Sequence, residues 1–315
     1  MGLMNLKLEL KGAFKEDEDG DTGPAEIVMK DVCFGYDPSS LVISNINLHL
    51  NEPGLYCIIG PNGVGKSTLI KCMCKIQELT SGDVMINGHS VREMRHKDIA
   101  RYIGYVPVST GDVFSMSVLE TILVGCQNKT DSIESRMMAV YNSMNLLNIN
   151  DLAGKNFGEL SAGQHQKVAI ARGIVQKPKI LILDEPTANL DVKYQVYVTE
   201  LLRALAEHEK MMVLMISHDL NMSAKYAHKV IMMAKPGVIY KVGDPEDVIT
   251  KENIEAVYGV HCKIIRDDDY DVPIVVLGQS MMDDDGNLDG EVKIPVKEEL
   301  ENGEGSGKVD LKVLG

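Results

Sequence analysis

Residues 60–68 read Gly60-Pro61-Asn62-Gly63-Val64-Gly65-Lys66-Ser67-Thr68, directly after the apolar run Leu55-Tyr56-Cys57-Ile58-Ile59. Gly60, Gly63 and Gly65 can take backbone angles closed to other residues, so successive N–H groups can turn toward one anion. A helix opening at Lys66 adds its free N–H groups and the positive end of its dipole. Lys66 supplies a point charge to the β- and γ-phosphates of a nucleotide, and Ser67 offers a hydroxyl to Mg²⁺. A chance Lys-Ser pair after a glycine-rich turn would need no such context. Here a strand leads into the loop and a helix leads out, as phosphate binding requires. The segment reads as a phosphate loop for ATP or GTP.

Further along, the apolar run Ile180-Leu181-Ile182-Leu183 ends in Asp184-Glu185-Pro186-Thr187. A carboxylate at a strand's carboxyl end, beside a phosphate loop, is placed to hold Mg²⁺. Its neighbour Glu185 can polarise a water for in-line attack on a γ-phosphate. Leu160-Ser161-Ala162-Gly163-Gln164 precedes a helix containing Arg172, and its Ser and Gly form a second anion-binding corner. That corner lies far along the chain from Lys66, so joint binding of one nucleotide within one chain is awkward. Ile216-Ser217-His218-Asp219 sets an imidazole at another strand end, within reach of a γ-phosphate. Alone, His218 would be an ordinary structural residue; the company it keeps makes it a site candidate.

The elements that must position these groups follow from the patterning. Strand patterns occupy 26–34, 46–50, 55–59, 83–87, 102–107, 179–183 and 211–216. Helical patterns cover 66–76, 161–175, 191–206 and 219–226, and a helical block runs from Ser117 to about Leu147. Short strands and two small helices follow from Val230 to Leu277. Strands alternating with helices around a phosphate loop imply an α/β fold with a mostly parallel sheet covered on both faces. The block at about 108–160 interrupts that core as a helical lobe. We therefore expect an acidic arm over 1–25, one domain over 26–277, and an acidic, glycine-rich tail over 278–315.

Charge placement narrows the partners. The chain of 315 residues carries a formal charge of −14. Residues 1–26 hold seven acids against three lysines, and residues 279–315 hold ten against four. No large basic stripe remains to meet a phosphate backbone, so nucleic acid is not an expected partner. No apolar run approaches the roughly 18 residues needed to cross a bilayer, and the N-terminus lacks a secretory pattern. Leu6 stands where myristoylation needs Ser or Thr. The six cysteines (33, 57, 72, 74, 126 and 262) show no metal-ligand spacing and read as reduced thiols. Asp285 to Gly290 fits the first half of a calcium loop, but Val296 replaces the bidentate Glu, so a solvated turn is expected.

Taken together, residues 26–277 resemble the ATP-binding-cassette (ABC) ATPases. The resemblance implies a phosphate-loop ATPase core with an antiparallel β subdomain and an inserted helical lobe. It implies ATP and Mg²⁺ as cofactors. By it, Tyr36 in Phe34-Gly35-Tyr36 matches the aromatic residue that stacks on adenine, and residues 60–68 match the phosphate loop. Ser161 to Gln164 match the family signature, Asp184 the Mg²⁺-site aspartate and Glu185 the catalytic glutamate. Asp191 matches the loop that signals across the dimer, and His218 the switch histidine. In the family two cassettes pair head to tail, so the signature of one closes over the ATP of the other. The resemblance also implies membrane permease subunits as partners, hence a place on the cytoplasmic face of the membrane. Asp219-Leu220-Asn221, Tyr226 to Val230, Gly243-Asp244-Pro245 and Val257 to Val260 are similar to cassettes of iron–siderophore, haem and cobalamin importers, in which a substrate-binding protein acts through the permease. A soluble cassette without a permease and a weakly hydrolysing regulatory module are the alternatives.

Two positions depart from the family pattern. After Tyr105-Val106-Pro107 stands Val108 where glutamine is expected, so that Ser109 or Thr110 compensates or turnover is weakened. Ala162 replaces a signature glycine, which adds strain only if the backbone there needs a positive φ.

Overall fold

The computed structural model describes residues 24–37, 40–108, 116–126, 132–266 and 272–281. Most of the expected acidic arm and tail, the calcium-like turn, and Ser109 and Thr110 lie outside the described residues. Among the described residues no helix is long and apolar enough to cross a membrane.

The apolar runs around the phosphate loop and the Asp-Glu pair become strands buried on both faces. Strands β3 (Gly54–Ile59), β7 (Ile180–Leu183) and β8 (Met212–Ile216) are buried along their whole length. With β6 (Ile103–Val106), β9 (Lys229–Ala234) and β10 (Val238–Gly243) they form a six-stranded sheet in the order β10-β9-β3-β8-β7-β6. Every pairing is parallel except β9 with β10. Alternation sorts their side chains between two cores. Leu55, Cys57, Ile59, Leu181, Leu183, Val213 and Met215 face one core, shared with α3 (Val118–Leu123), α4 (Ile133–Leu146), α5 (Ala162–Ile174) and α6 (Val192–His208). Tyr56, Ile58, Ile180, Ile182, Leu214 and Ile216 face the other, shared with α1 (Lys66–Met73). That second core also takes residues from an antiparallel sheet of β1 (Ile27–Phe34), β2 (Ile43–Leu50), β4 (Ser81–Ile86) and β5 (His89–Ser90). So one face of the parallel sheet is covered largely by a second sheet rather than by helices alone.

Between β6 and α5 the chain forms α3, α4 and two 3-10 turns at Asn150–Leu152 and Phe157–Glu159. Beyond β8, α7 (Leu220–Tyr226) follows His218, and α8 (Pro245–Val248) and α9 (Lys251–Tyr258) follow β10. An antiparallel hairpin of β11 (Val260–Arg266) and β12 (Pro273–Ser280) ends the described chain, running past the expected boundary at residue 277.

Strand order places the chemistry. Parallel neighbours end at the same edge, and β3, β8 and β7 lie side by side, with Ile58 opposite Ile216 and Leu183 opposite Met215. The loop after β3, His218 after β8 and Asp184-Glu185 after β7 therefore share one crevice at the carboxyl edge of the sheet.

Candidate active site

The phosphate loop is shaped by glycines that nothing larger could replace. Gly60 has φ 148°, and a Cβ there would sit 2.4 Å from the Met233 carbonyl oxygen. Gly65, the residue capping α1, has φ 100°, and its Cβ would meet Ile43 Cγ2 at 2.7 Å. The loop is thus pressed against β9 on one side and the start of β2 on the other. Asn62 and Gly63 are exposed, Pro61 is half-buried, and Val64 and Thr68 are buried. Lys66 is folded back over the loop, its Nζ donating to Gly60 O at 2.7 Å and Pro61 O at 2.9 Å. Burial pulls its ammonium below the ordinary lysine value, while the charges of Glu185 and Asp184 oppose that shift.

Ser67 Oγ donates to Asp184 Oδ1 at 3.0 Å, joining the first turn of α1 to the end of β7. Asp184 is buried, and its N–H donates to Val106 O at 2.8 Å, which fixes the carboxylate relative to β6. Desolvation lifts its pKa. The Ser67 hydrogen bond draws it back, and the Glu185 charge lifts it further. Two hard oxygen donors side by side are the kind of ligand that Mg²⁺ takes. The residues present therefore fit that cation.

Glu185 is less buried and has φ 50°, a left-handed conformation rare outside glycine. That turn directs its carboxylate across to His218, whose Nε2–H donates to Glu185 Oε1 at 2.6 Å. Val42, Asn62, Gly63, Gly65, Lys66, Ser67, Thr68, Glu185 and His218 line one cleft of about 650 Å³.

The other expected residues stand outside that lining. Tyr36 is 70% exposed and meets Phe34 edge-on at 5.0 Å, beside Val42, whose N–H donates to Phe34 O at 2.7 Å. Ser161 caps α5: its hydroxyl accepts from Gln164 N at 3.3 Å, and the Gln164 side chain accepts from Ser161 N at 2.9 Å. This reciprocal box leaves Ser161 exposed at the tip of the helical segment. Ala162 takes no positive φ, so its replacement of glycine adds no backbone strain. Gly163 approaches Asn189 closely, a Cβ there meeting the Asn189 carbonyl at 3.1 Å. Asp191 caps α6 by accepting from Tyr194 N at 3.1 Å, and Lys167 lies 3.1 Å over the Tyr194 ring. The signature corner and the Asp191 loop are thus packed against each other, apart from the cleft of their own chain.

Two contributors went unread in the sequence. Val42 lines the cleft, and its carbonyl presses on Gly65. Lys71 draws the Asp184 pKa down; its place one helical turn beyond Ser67 was the available signal.

A parallel sheet that gathers a glycine-moulded anion loop, a half-buried Ser–Asp pair and a Glu–His pair at one edge defines a phosphate-loop nucleoside triphosphatase. Residues 43–188 match the family model described as ABC transporter. The chain is 37% identical over 240 residues to an uncharacterized ABC transporter ATP-binding protein of Methanocaldococcus jannaschii, covering 76% of this chain and 92% of that one. It is 32% identical to the ferric enterobactin transport ATP-binding protein of Escherichia coli, over 75% of this chain and 88% of that one. A bacterial ABC transporter cassette solved as a dimer superposes with TM-score 0.63 at 26% identity, over 70% of this chain and 98% of that one. The chain belongs to the ABC transporter ATP-binding proteins, and its activity is ATP hydrolysis coupled to transport.

Proposed function

We propose that the chain is the nucleotide-binding subunit that energises an importer of metal chelates of the iron–siderophore, haem or cobalamin kind. Residues 26–277 form the working domain. Lys66 and the amides of residues 60–68 hold the phosphates of ATP, and Tyr36 stacks on its adenine. Ser67 and Asp184 hold Mg²⁺, which when bound neutralises charge on the β- and γ-phosphate oxygens. Glu185 takes the proton of the attacking water as the water oxygen bonds to the γ-phosphorus and the bond from that phosphorus to the β–γ bridging oxygen breaks, releasing ADP and phosphate. His218 holds the Glu185 carboxylate in line and reports the γ-phosphate.

The observation that carries this reading is the 2.6 Å Glu185–His218 bond over the cleft that also contains Lys66 and Ser67. The cargo class draws on the likeness to the ferric enterobactin transport protein and on the segments after His218.

The exposed Ser161 corner supports a sandwich of two copies. Ser161, Gly163 and Gln164 of one copy cover the nucleotide held by the other, with Asp191 between them. Permease subunits dock on this dimer at the cytoplasmic face of the membrane, and a substrate-binding protein delivers cargo from the far side. The test is phosphate release by the purified subunit with its permease in vesicles. Glu185→Gln is expected to abolish release while trapping ATP-bound dimer. Equal release by variant and wild type would refute the catalytic assignment. Release by wild type that no metal chelate alters, in the presence of the binding protein, would refute the cargo class alone.

A further inference from the structure

Between the end of β7 and the start of α6 the chain turns through residues 185–191, and this turn carries both Glu185 and Asp191. Two backbone bonds close it. Ala188 N–H donates to Glu185 O at 3.2 Å, and Leu190 N–H donates to Thr187 O at 3.3 Å, both at the long end of the range for an N–H···O bond. Yet the turn must keep Glu185 at φ 50°, a backbone that persists only where its surroundings over-determine it. The first turn of α6 supplies a second pair of bonds. Gln195 reaches back over the preceding loop, and its Nε2 amide donates to Leu190 O at 3.1 Å and to Thr187 O at 3.3 Å.

Gln195 is itself anchored. Its N–H donates to Asp191 O at 2.9 Å, Thr199 Oγ1 donates to its carbonyl at 2.8 Å, and its side chain is half-buried. One amide group fixed to α6 therefore clamps both ends of the 187–190 turn. Thr187 O takes the Leu190 N–H as well, so the clamp and the turn share that oxygen. Gln195 is not among the residues that line the cleft with Lys66, Ser67 and Glu185. Its reach is to the loop behind the carboxylate, not to the nucleotide's place.

We propose that Gln195 is a positioning residue for Glu185, its amide group fixing the turn that holds the Glu185 carboxylate toward His218. The inference rests on the proton-accepting role given above to Glu185. A group that works only by aiming Glu185 must change the rate of hydrolysis and leave nucleotide binding alone. It must also lose its effect once the Glu185 carboxylate is gone. Two net hydrogen bonds correspond to about a 5- to 100-fold change in rate.

The experiment compares full-length wild type, Gln195→Glu and Gln195→Met by ADP titration, steady-state phosphate release and thermal melting. Gln195→Glu keeps the shape of the side chain, but an ionised carboxylate donates nothing and turns oxygen toward two carbonyls. Gln195→Met keeps the length with neither donor nor charge. Melting curves fix the temperature at which each variant is folded; should Gln195→Glu not fold, Gln195→Met carries the test. In both variants kcat is expected to fall by about 5- to 100-fold. KM for ATP and Kd for ADP are expected to move by less than about twofold. Added to Glu185→Gln, the Gln195→Met change is expected to slow the residual single-turnover hydrolysis by less than about twofold. Unchanged kcat, or a rise in the ADP Kd that matches the fall in kcat, overturns the proposal. So does an equal loss of rate with and without the Glu185 carboxylate, which would make Gln195 a general support of the fold. Glu185→Gln that hydrolyses as fast as wild type would instead overturn the reading of Glu185 beneath it.

Discussion

The Glu185 carboxylate and the His218 imidazole, carried by the ends of adjacent parallel strands, are joined at 2.6 Å across the mouth of the cleft. Glu185 reaches that bond only through its left-handed backbone at φ 50°, a conformation that costs of order 1 kcal/mol or more and persists where neighbours enforce it. The two side chains therefore act as one unit, and their substitutions should not add.

His218→Ala is expected to lower kcat by about 10- to 100-fold, and Glu185→Gln by about 10²- to 10⁴-fold, the range of a lost general base. The double variant should be no slower than Glu185→Gln alone. Multiplicative losses in steady-state phosphate release would show that the two residues work independently.

Asp184 sets stability against function. Burial lifts its pKa above the ordinary 3.8, so the folded protein holds that proton more tightly than the unfolded chain. Stability then falls as pH rises from the ordinary value through the raised one, and the full cost is present above both. Asp184→Asn removes the buried charge. At neutral pH the nucleotide-free variant should melt higher than wild type, on a scale of about 2–4 °C per kcal/mol, and the gap should close below the ordinary aspartate value. Mg²⁺-dependent hydrolysis should be lost in the same protein. A variant that melts lower at neutral pH would mean that Ser67 and the nearby lysines outweigh desolvation.

These groups were legible because their chemistry is local: three glycines, Lys66 and Ser67 fall within one turn, and Asp184-Glu185 ends an unbroken apolar strand. Helix starts were legible for the same reason, since Ser161, Asp191 and Asp219 each cap the helix they precede. Ends were harder. The helix expected to reach residue 76 stops at Met73, and Lys75 then takes φ 55°, a turn that lysine does not advertise. Strand β2 begins at Ile43, ahead of the expected 46, because Asn45 at φ 49° sits within it and breaks the alternation. The short helix α2 (His96–Tyr102) buries only Ile99 and so presents no apolar stripe to read. Contacts between distant segments, such as Asn221 with Val275, leave no periodic trace at all.

Val108 lies just beyond β6, 38% exposed, two residues past the Val106 carbonyl that fixes Asp184. Valine offers neither donor nor acceptor there, where the family pattern has glutamine. A first polar contact at this position is worth roughly 1–3 kcal/mol, or about 10- to 100-fold in rate. Val108→Gln is expected to raise phosphate release by the isolated protein within that range. Equal or slower turnover would show that the valine is not what limits hydrolysis.

The position of Ser161 tests the two-copy site directly. Its hydroxyl is engaged in the α5 cap, its side chain is exposed, and it lies outside the cleft that holds Lys66. Suppose each nucleotide is covered by the opposite copy. A mixed dimer of Glu185→Gln with Ser161→Arg then concentrates both defects in one site and leaves the other site wholly wild type. If instead each chain closed over its own nucleotide, every site in the mixture would carry one defect. Either variant alone is expected to be nearly inactive, and mixing the two should restore hydrolysis to a measurable fraction of wild type. Loss of the Ser161 cap itself costs about 0.5–2 kcal/mol of stability, so melting curves of Ser161→Arg establish that the mixed partner is folded. A folded mixture that stays as inactive as its components would place signature and phosphate loop in separate sites, and the sandwich would fail.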